Sequence, residues 1–204
     1  DISKLPKSIN GIFHLAAQAS VPLSIDEFYL SSSNNLLSTI RAFDLAKFYN
    51  VPIVYASSSA VYGNLPIGDD QKEAFEILSP YAMDKLTIEN YARMCWGIYK
   101  IPSIGMRFFN VYGPRQDPTN PYSGVISIFI DRILKNKTVT LNGGYQTRDF
   151  IFVEDIVKVM IVAIEYLFTN RLSYVFNVGT GVSVKVESLL KMLNDILKVE
   201  TEVI

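Results

Sequence analysis

Short apolar segments alternate with longer segments of helical periodicity along the first half of the chain. Residues 11–15, 51–56 and 104–109 are brief apolar runs of the kind that form buried strands. Between them, apolar side chains recur at a spacing near 3.6 residues over 33–49, and a proline at a first-turn position opens a predicted helix over 80–99. This alternation predicts an α/β fold, a doubly wound parallel sheet with helices on both faces.

The second half of the chain is less regular. We predict helices over residues 125–134, 154–167 and 186–197 and short strands over 138–141, 149–153 and 174–178. A loop rich in Pro, Gly, Asn and Asp begins at residue 113 and is the best candidate for a change of domain.

Small or polar side chains follow three of the apolar runs, at residues 14–20, 57–62 and 110–112. In doubly wound sheets, ligands bind beyond the carboxyl ends of the strands. If these three segments face one crevice, the chain has the layout of an enzyme for small molecules.

Composition removes several other classes of function. The 204 residues are 49% hydrophobic and 19% charged, as in globular proteins, and the formal net charge of −1 lacks the basic excess of nucleic-acid binders. No apolar run reaches the roughly 18 residues of a membrane span. One Cys (Cys95) and one His (His14) make a disulfide framework and a structural zinc site improbable, so no metal is expected. With an N-terminus unlike a signal peptide, we expect a cytoplasmic protein.

Tyr81 and Lys85 are the sharpest candidates for chemistry. Four residues apart on a predicted helix, they share one face. A free Tyr is a poor base at neutral pH, and a nearby ammonium favours the phenolate, so Lys85 is expected to lower the pKa of Tyr81. Such pairs also occur by chance on half-exposed helix faces, and this motif alone leaves that interpretation open.

A run of serines, Ser57, Ser58 and Ser59, directly follows the second apolar run. A hydroxyl at a strand end can link a substrate oxygen to the Tyr81 phenol. The alternative is a Ser-rich turn with local backbone hydrogen bonds.

Six motifs occur in a set order: HLAA at 14–17, Asn35, SSSAVYG at 57–63, PYAMDK at 80–85, RFFNVYGP at 107–114, and RDF at 148–150 with VED at 153–155. Together they resemble the extended short-chain dehydrogenase/reductase family, and within it the nucleotide-sugar epimerases, most of all the UDP-hexose 4-epimerases. The resemblance implies a Rossmann-like cofactor domain over residues 1–112 and 148–168. It also implies a smaller substrate-binding lobe over 113–147 and 169–204.

The family's Gly-rich turn, which holds the dinucleotide pyrophosphate, has no counterpart in the printed sequence. We therefore expect these residues to be part of a longer protein, without its first strands and the end of its substrate lobe, and to bind the cofactor poorly on their own. The resemblance implies NAD as cofactor, a UDP-sugar as substrate and a homodimer formed through the Tyr/Lys helix, with no nucleic-acid or membrane partner.

The resemblance also implies roles for individual residues. By this resemblance, the catalytic residues would be Tyr81, Lys85 and Ser58. Besides Tyr81 and Lys85, the cofactor would be bound by Asp1, Ile2, Leu15, Ala16, Ala17, Gln18, Asn35, Ser57 and Phe109. The substrate would be bound by Ser20, Ser58, Ser59, Tyr81, Asn110, Val125, Phe129, Thr140, Asn142 and Arg148. On the residues alone, Arg148 could equally be a surface side chain paired with Asp149 or Glu154.

Within the family, the residues after Ser58 bear on the type of reaction. Sugar 4,6-dehydratases resemble one another in carrying acidic residues there, where this chain has Ser59 and Ala60. We therefore expect a 4-epimerase that works through a transient 4-keto sugar. A dehydratase or reductase of the same family, and a relative without catalytic activity, remain the alternatives.

Overall fold

The computed structural model describes residues 6–120, 123–141 and 143–204. The chain forms two compact units, Asp1–Phe108 with Lys158–Val178 and Phe109–Val157 with Gly179–Ile204. In chain order the elements are β1 (Ile12–His14), α1 (Val21–Asp26), α2 (Phe28–Tyr49), β2 (Ile53–Ser58), a 3-10 helix (Ser59–Tyr62), α3 (Pro80–Tyr99), β3 (Ser103–Phe108), β4 (Asn110–Tyr112), α4 (Val125–Leu134), β5 (Thr147–Phe152), α5 (Val153–Thr169), β6 (Ser173–Val178), β7 (Ser183–Lys185) and α6 (Val186–Leu197).

The first unit contains a four-stranded parallel sheet in the order β1-β2-β3-β6. Successive side chains of β2 point to opposite faces of the sheet, yet Ile53, Val54 and Tyr55 are all buried. Ile53 and Tyr55 pack in a cluster with apolar side chains of α2 and α3. Burial on both faces is typical of a parallel sheet with helices on each side, and the Rossmann-like α/β fold predicted from the sequence is confirmed.

The second unit contains a three-stranded sheet in the order β4-β5-β7, with β4 and β5 parallel and β5 and β7 antiparallel. Its core is an apolar cluster from α4 and α6 that includes Phe129, Ile133, Leu189 and Leu193. The helices predicted over 125–134 and 186–197 coincide with α4 and α6.

Several elements differ from the sequence predictions. Residues 138–141 form an isolated bridge from Val139 to Val203 rather than a strand. Residues 110–112 do not lie at the end of a strand of the four-stranded sheet. They form β4 of the second sheet, where they pair with β5. The two compact units have other bounds than the predicted domains, which stay a prediction: residues 173–178 pair with β3 in the first unit, and β5 lies in the second.

No helix in the described ranges is both long enough and apolar enough to cross a membrane.

Gly105 on β3 offers a test of this packing. A Cβ there would lie 2.5 Å from the Cζ and hydroxyl oxygen of Tyr55, a fully buried side chain. We expect Gly105→Ala to destabilise the protein by about 1–3 kcal/mol, since the ring has no free space to move into.

Gly97→Ala on α3 is the matched control, because its Cβ meets nothing within 4 Å. The control should be neutral or stabilising by up to about 1 kcal/mol. Urea unfolding of both variants measures the difference, and equal stabilities would contradict the packing.

Candidate active site

The start of α3 fixes the position of Tyr81. Ser79 is the N-cap, where its side chain accepts a hydrogen bond from the Ala82 amide at 3.1 Å, and Pro80 is the first helical residue. The amide of Tyr81, which has no partner within the helix, donates to the Ser24 hydroxyl on α1 at 3.2 Å. The first turn of α3 is thus held both by its own cap and by a neighbouring helix.

Tyr81, Lys85 and Ser58 lie together at the carboxyl end of β2. The Ser58 hydroxyl lies near the Tyr81 phenol and lowers the pKa of that phenol, and its Oγ accepts from the Ala60 amide at 3.1 Å as the cap of the 3-10 helix. The Lys85 ammonium donates to the Ala56 carbonyl at 2.7 Å. Two motifs about twenty residues apart in the sequence therefore form one cluster.

The electrostatics of this cluster differ from the expectation that Lys85 lowers the pKa of Tyr81. Burial raises the pKa of Tyr81 above its ordinary value, and the Ser58 hydroxyl opposes that rise only in part. The Lys85 ammonium lies 5.5 Å from the centroid of the Tyr81 ring, over its face, and bonds the β2 backbone. Burial also lowers the pKa of Lys85 to about 8, although Asp84 and Glu89 favour its charged form. In the protein alone, the phenol is neutral and the amine is charged at neutral pH.

The end of β1 approaches the same cluster. The pKa of His14 is lowered, first by burial and then by the Lys85 charge. Its Nε2 is 2.9 Å from the Thr39 hydroxyl on α2, which agrees with a packing role for this histidine.

The side chain of Asn35 links the segment after β1 to α3. Its Oδ1 accepts from the Gln18 amide at 2.8 Å, and its Nδ2 donates to the Gln18 carbonyl at 3.2 Å and to Asp84 Oδ2 at 3.0 Å. Since Asn35 is fully buried and both amide hydrogens are used, the structure favours a positioning role over the expected contact with a cofactor.

The other predicted cofactor residues have varied surroundings. Leu15, Ala16 and Ala17 are exposed after β1, as a binding surface requires. Ser57 is buried, and its hydroxyl donates to the Glu89 carboxylate. Phe109 belongs to the second unit. The predictions for Asp1 and Ile2 lie outside the described residues.

Two further predicted substrate residues are in the first unit. Ser20 caps α1, where its Oγ accepts from the Leu23 amide at 3.2 Å. Ser59 is the first residue of the 3-10 helix and is half-buried.

In the second unit, Asn110 and Arg148 are near each other in the sheet. Asn110 is paired with Phe150, and its side-chain amide donates to the Asp149 carbonyl at 3.2 Å. The Asp149 carboxylate accepts from the amide and hydroxyl of Thr180 and from the Gly181 amide. The carboxylate of Asp149 is thus hydrogen-bonded to the turn that contains Thr180 and Gly181. Arg148 is exposed, and its Nη1 donates a hydrogen bond to the Thr147 carbonyl at 2.8 Å.

The four remaining predicted substrate residues are Val125, Phe129, Thr140 and Asn142, and those that the structure describes differ in their surroundings. Phe129 is a core residue and Val125 packs against that core, whereas Thr140 is exposed. Asn142 lies outside the described residues. A cavity of about 810 Å³ in this unit is lined by other side chains, mainly apolar ones of α4, β5 and α6.

Sequence reasoning missed the buried charged groups behind the cluster. Glu89 and Arg107 form an ion pair with 2.7 Å between Nη2 and Oε2, and Asp84 is the buried acid bound by Asn35. Two signals were available in the sequence: Glu89 follows Lys85 at the spacing by which Lys85 follows Tyr81, and Arg107 interrupts an apolar strand.

Comparison with known proteins gives matches to nucleotide-sugar epimerases in sequence and in structure. A profile of the NAD dependent epimerase/dehydratase family matches residues 1–179. A putative UDP-glucose 4-epimerase of Methanocaldococcus jannaschii is 38% identical over 193 residues, which are 92% of this chain and 61% of that protein. This chain therefore spans about three fifths of that relative's length.

Two solved structures share the fold. The UDP-N-acetylglucosamine 4-epimerase of Methanobrevibacter ruminantium, in complex with UDP-N-acetylmuramic acid, is 35% identical with a TM-score of 0.87, covering 96% of this chain and 63% of that one. The UDP-glucose 4-epimerase of Thermus thermophilus, in complex with NAD, is 31% identical with a TM-score of 0.84, covering 96% and 64%.

The lowered pKa of Lys85 predicts a pH-dependent stability. Between pH 8 and about pH 10, Lys85 is charged in the unfolded chain and increasingly neutral in the folded one, so the unfolded state binds more protons. The free energy of unfolding should therefore rise with pH across this window by on the order of 2 kcal/mol relative to Lys85→Met. Urea titrations of both proteins at several pH values measure it. Parallel pH profiles would show that the ammonium is not buried as described.

Proposed function

Because the chain belongs to the NAD dependent epimerase/dehydratase family, we propose that the whole protein is an NAD-dependent 4-epimerase of UDP-sugars. Its substrates would be UDP-glucose and UDP-galactose or the N-acetylhexosamine equivalents. The observation that carries the proposal is the cluster of Tyr81, Ser58 and Lys85 at the end of β2. Relatives named as 4-epimerases, one of them bound to NAD, support it.

The side chains at this strand end suit a nicotinamide dinucleotide. The Lys85 ammonium has three donors, and its hydrogen bond to Ala56 uses one, which leaves donors for ribose hydroxyls. Ala16 and Ala17 are small and exposed after β1, and Gln18 is fixed there by Asn35. We assign Lys85 to the nicotinamide ribose and residues 15–18 to the face of the dinucleotide. When bound, NAD would supply the acceptor and later the donor of the carbon-4 hydride, and its positive charge would favour the Tyr81 phenolate.

The protein's own residues handle the proton. Tyr81, as the phenolate, takes the proton of the sugar 4-hydroxyl and gives it back to the 4-oxygen when the other face of the ketone is reduced. Ser58, whose hydroxyl lies near the phenol and lowers its pKa, would position the 4-oxygen, and Ser59 is the next residue in the chain. Burial opposes ionisation of Tyr81, whereas the Ser58 hydroxyl favours it.

Residues of the second unit would hold the UDP moiety. The exposed Arg148 suits a diphosphate, because a guanidinium makes paired hydrogen bonds to phosphate oxygens. Asn110 would contact the same group, and Val125, Thr140 and Asn142 the uridine. The core position of Phe129 supports a role in shaping that site rather than in direct contact.

The two residues directly after Ser58 favour epimerisation over dehydration. Elimination of water across carbons 5 and 6 requires an acid and a base near those atoms, and neither Ser59 nor Ala60 carries a carboxylate. Reversible oxidation at carbon 4 requires only Tyr81, Ser58 and the bound cofactor.

The proposal includes a cytoplasmic homodimer. Apolar side chains of α2 and α3, among them Leu37, Ile40, Met94 and Ile98, are exposed in the single chain, and a second copy would cover them. One buried cysteine suits a reducing compartment. Light scattering of the purified whole protein tests the dimer.

The proposed reaction predicts a specific product. Incubation of the whole protein and NAD with UDP-glucose should give UDP-galactose, with no net change in absorbance at the wavelength of NADH. The same experiment with UDP-N-acetylglucosamine distinguishes the two sugar classes. Net formation of NADH, or a 4-keto-6-deoxy product, would contradict an epimerase.

The assignment of Tyr81 predicts the effect of one substitution. Tyr81→Phe should lower kcat by about 10²–10⁴-fold, because the proton has no acceptor, while NAD still binds. Tyr29→Phe, at a residue 83% exposed on α2, is the matched control and should leave kcat unchanged. Turnover by Tyr81→Phe at the rate of this control would overturn the role of the phenol.

A further inference from the structure

A buried ion pair between Glu89 and Arg107 lies behind the proposed catalytic residues. Both side chains are no more than 5% exposed. Arg107 Nε donates to Glu89 Oε1 at 2.9 Å and Nη2 donates to Oε2 at 2.7 Å, a bidentate geometry. The mechanism proposed above uses neither residue.

The pair connects the helix of Tyr81 to the strand of Ser58. Glu89 is on α3, at the same four-residue spacing from Lys85 as Lys85 is from Tyr81, so all three share one face. Its carboxylate also accepts a hydrogen bond from the Ser57 hydroxyl on β2, one residue before Ser58. Arg107 is the β3 residue paired in register with Ser57.

The same pair also holds the segment after Ser58. Arg107 Nη1 donates to the Tyr62 hydroxyl at 2.7 Å, and that hydroxyl donates in turn to Asn177 Oδ1 at 2.7 Å. Tyr62 is the last residue of the 3-10 helix that Ser58 caps. The chain is therefore held by hydrogen bonds on both sides of Ser58: Ser57 before it bonds to Glu89, and Tyr62 after it bonds to Arg107.

Stability is a weak reason for such a pair. Taking two charges out of water costs as much as their attraction returns, and apolar side chains of similar volume often fold as well. What apolar side chains cannot supply is the set of directed hydrogen bonds to Ser57 and Tyr62.

We propose that Glu89 and Arg107 are positioning residues, which hold the Ser58 hydroxyl at the Tyr81 phenol by fixing the chain on either side of Ser58. The proposal deepens the proposed function and rests on it for its kinetic consequences. Both carboxylate oxygens of Glu89 are engaged by Ser57 and Arg107, so the acid acts through other residues and not on a substrate.

The pKa of Tyr81 reports on this positioning without any need for turnover. The charged groups that face the phenol are Asp84 and Lys85 on α3, and His14 lies near Lys85 at the end of β1. Burial and Asp84 raise the pKa of Tyr81, and the Ser58 hydroxyl lowers it. Glu89 favours the charged form of Lys85, but the pKa of Lys85, about 8, lies below that of Tyr81, so Lys85 is already neutral when the phenol ionises. A change in the pKa of Tyr81 on removal of the pair therefore reports the geometry around the phenol.

The double variant Glu89→Met/Arg107→Met tests the proposal in the whole protein. It removes both charges together, so neither is left buried alone. We expect a folded protein in which kcat falls at least tenfold with KM nearly unchanged. In protein labelled with 3-fluorotyrosine, the Tyr81 resonance, assigned through Tyr81→Phe, should titrate at higher pH, in the same direction as in Ser58→Ala. The matched control is Glu73→Gln, which breaks an exposed ion pair between Glu73 and Arg93 of α3. It should change neither kcat nor the pH at which Tyr81 titrates.

The outcomes separate the two proposals. A folded double variant with kcat within twofold of wild type and an unchanged Tyr81 titration overturns the positioning role. If wild type does not epimerise UDP-sugars, the proposed function fails, and the Tyr81 titration still decides the positioning role. If the double variant does not fold, Arg107→Lys takes its place, since it keeps the charge but lacks the planar fork. A wild-type Tyr81 titration in Arg107→Lys would then overturn the proposal.

Discussion

The constraint on which the site depends is the burial of the Lys85 ammonium at the end of β2. Lys85 is 3% exposed, so its ammonium has lost most of its hydration, and this desolvation lowers the pKa to about 8. The structure offsets this cost with the Ala56 carbonyl at 2.7 Å and with two acidic side chains that favour the charged form, Asp84 and Glu89. Much of the surrounding polar structure results from keeping this one group both buried and charged.

Each of those acids needs a partner of its own. In the described part of the chain, the buried charged side chains are Asp84, Lys85, Glu89 and Arg107, two of each sign. Asn35 donates to Asp84, and Arg107 binds Glu89 with both arms of its guanidinium. The balance of charge lets a lysine occupy the interior without leaving an uncompensated carboxylate beside it.

The sequence predicts more of the elements than of the contacts between them. The helix over 80–99 was predicted in full, because Pro80 and the apolar periodicity mark it locally. That residues 110–112 pair with β5, or that Asn35 binds Gln18 and Asp84, depends on partners far apart in the chain. The proximity of Ser58 to Tyr81 was inferred from motif order, but the upward direction of the Tyr81 pKa was not, because burial is a property of the packed fold.

Asp84 shows why the site carries opposing influences. This carboxylate raises the pKa of Lys85 and that of Tyr81, so it favours the charged amine and disfavours the phenolate. Without Asp84, Lys85 would lose charge nearer to neutral pH, and with it a charged donor for a bound ribose. With Asp84, the phenol is harder to ionise, and the Ser58 hydroxyl opposes that effect because it lowers the pKa of Tyr81. The position of Ser58 therefore matters beyond its contact with a sugar: it is the local group that restores part of the acidity that burial and Asp84 remove from Tyr81.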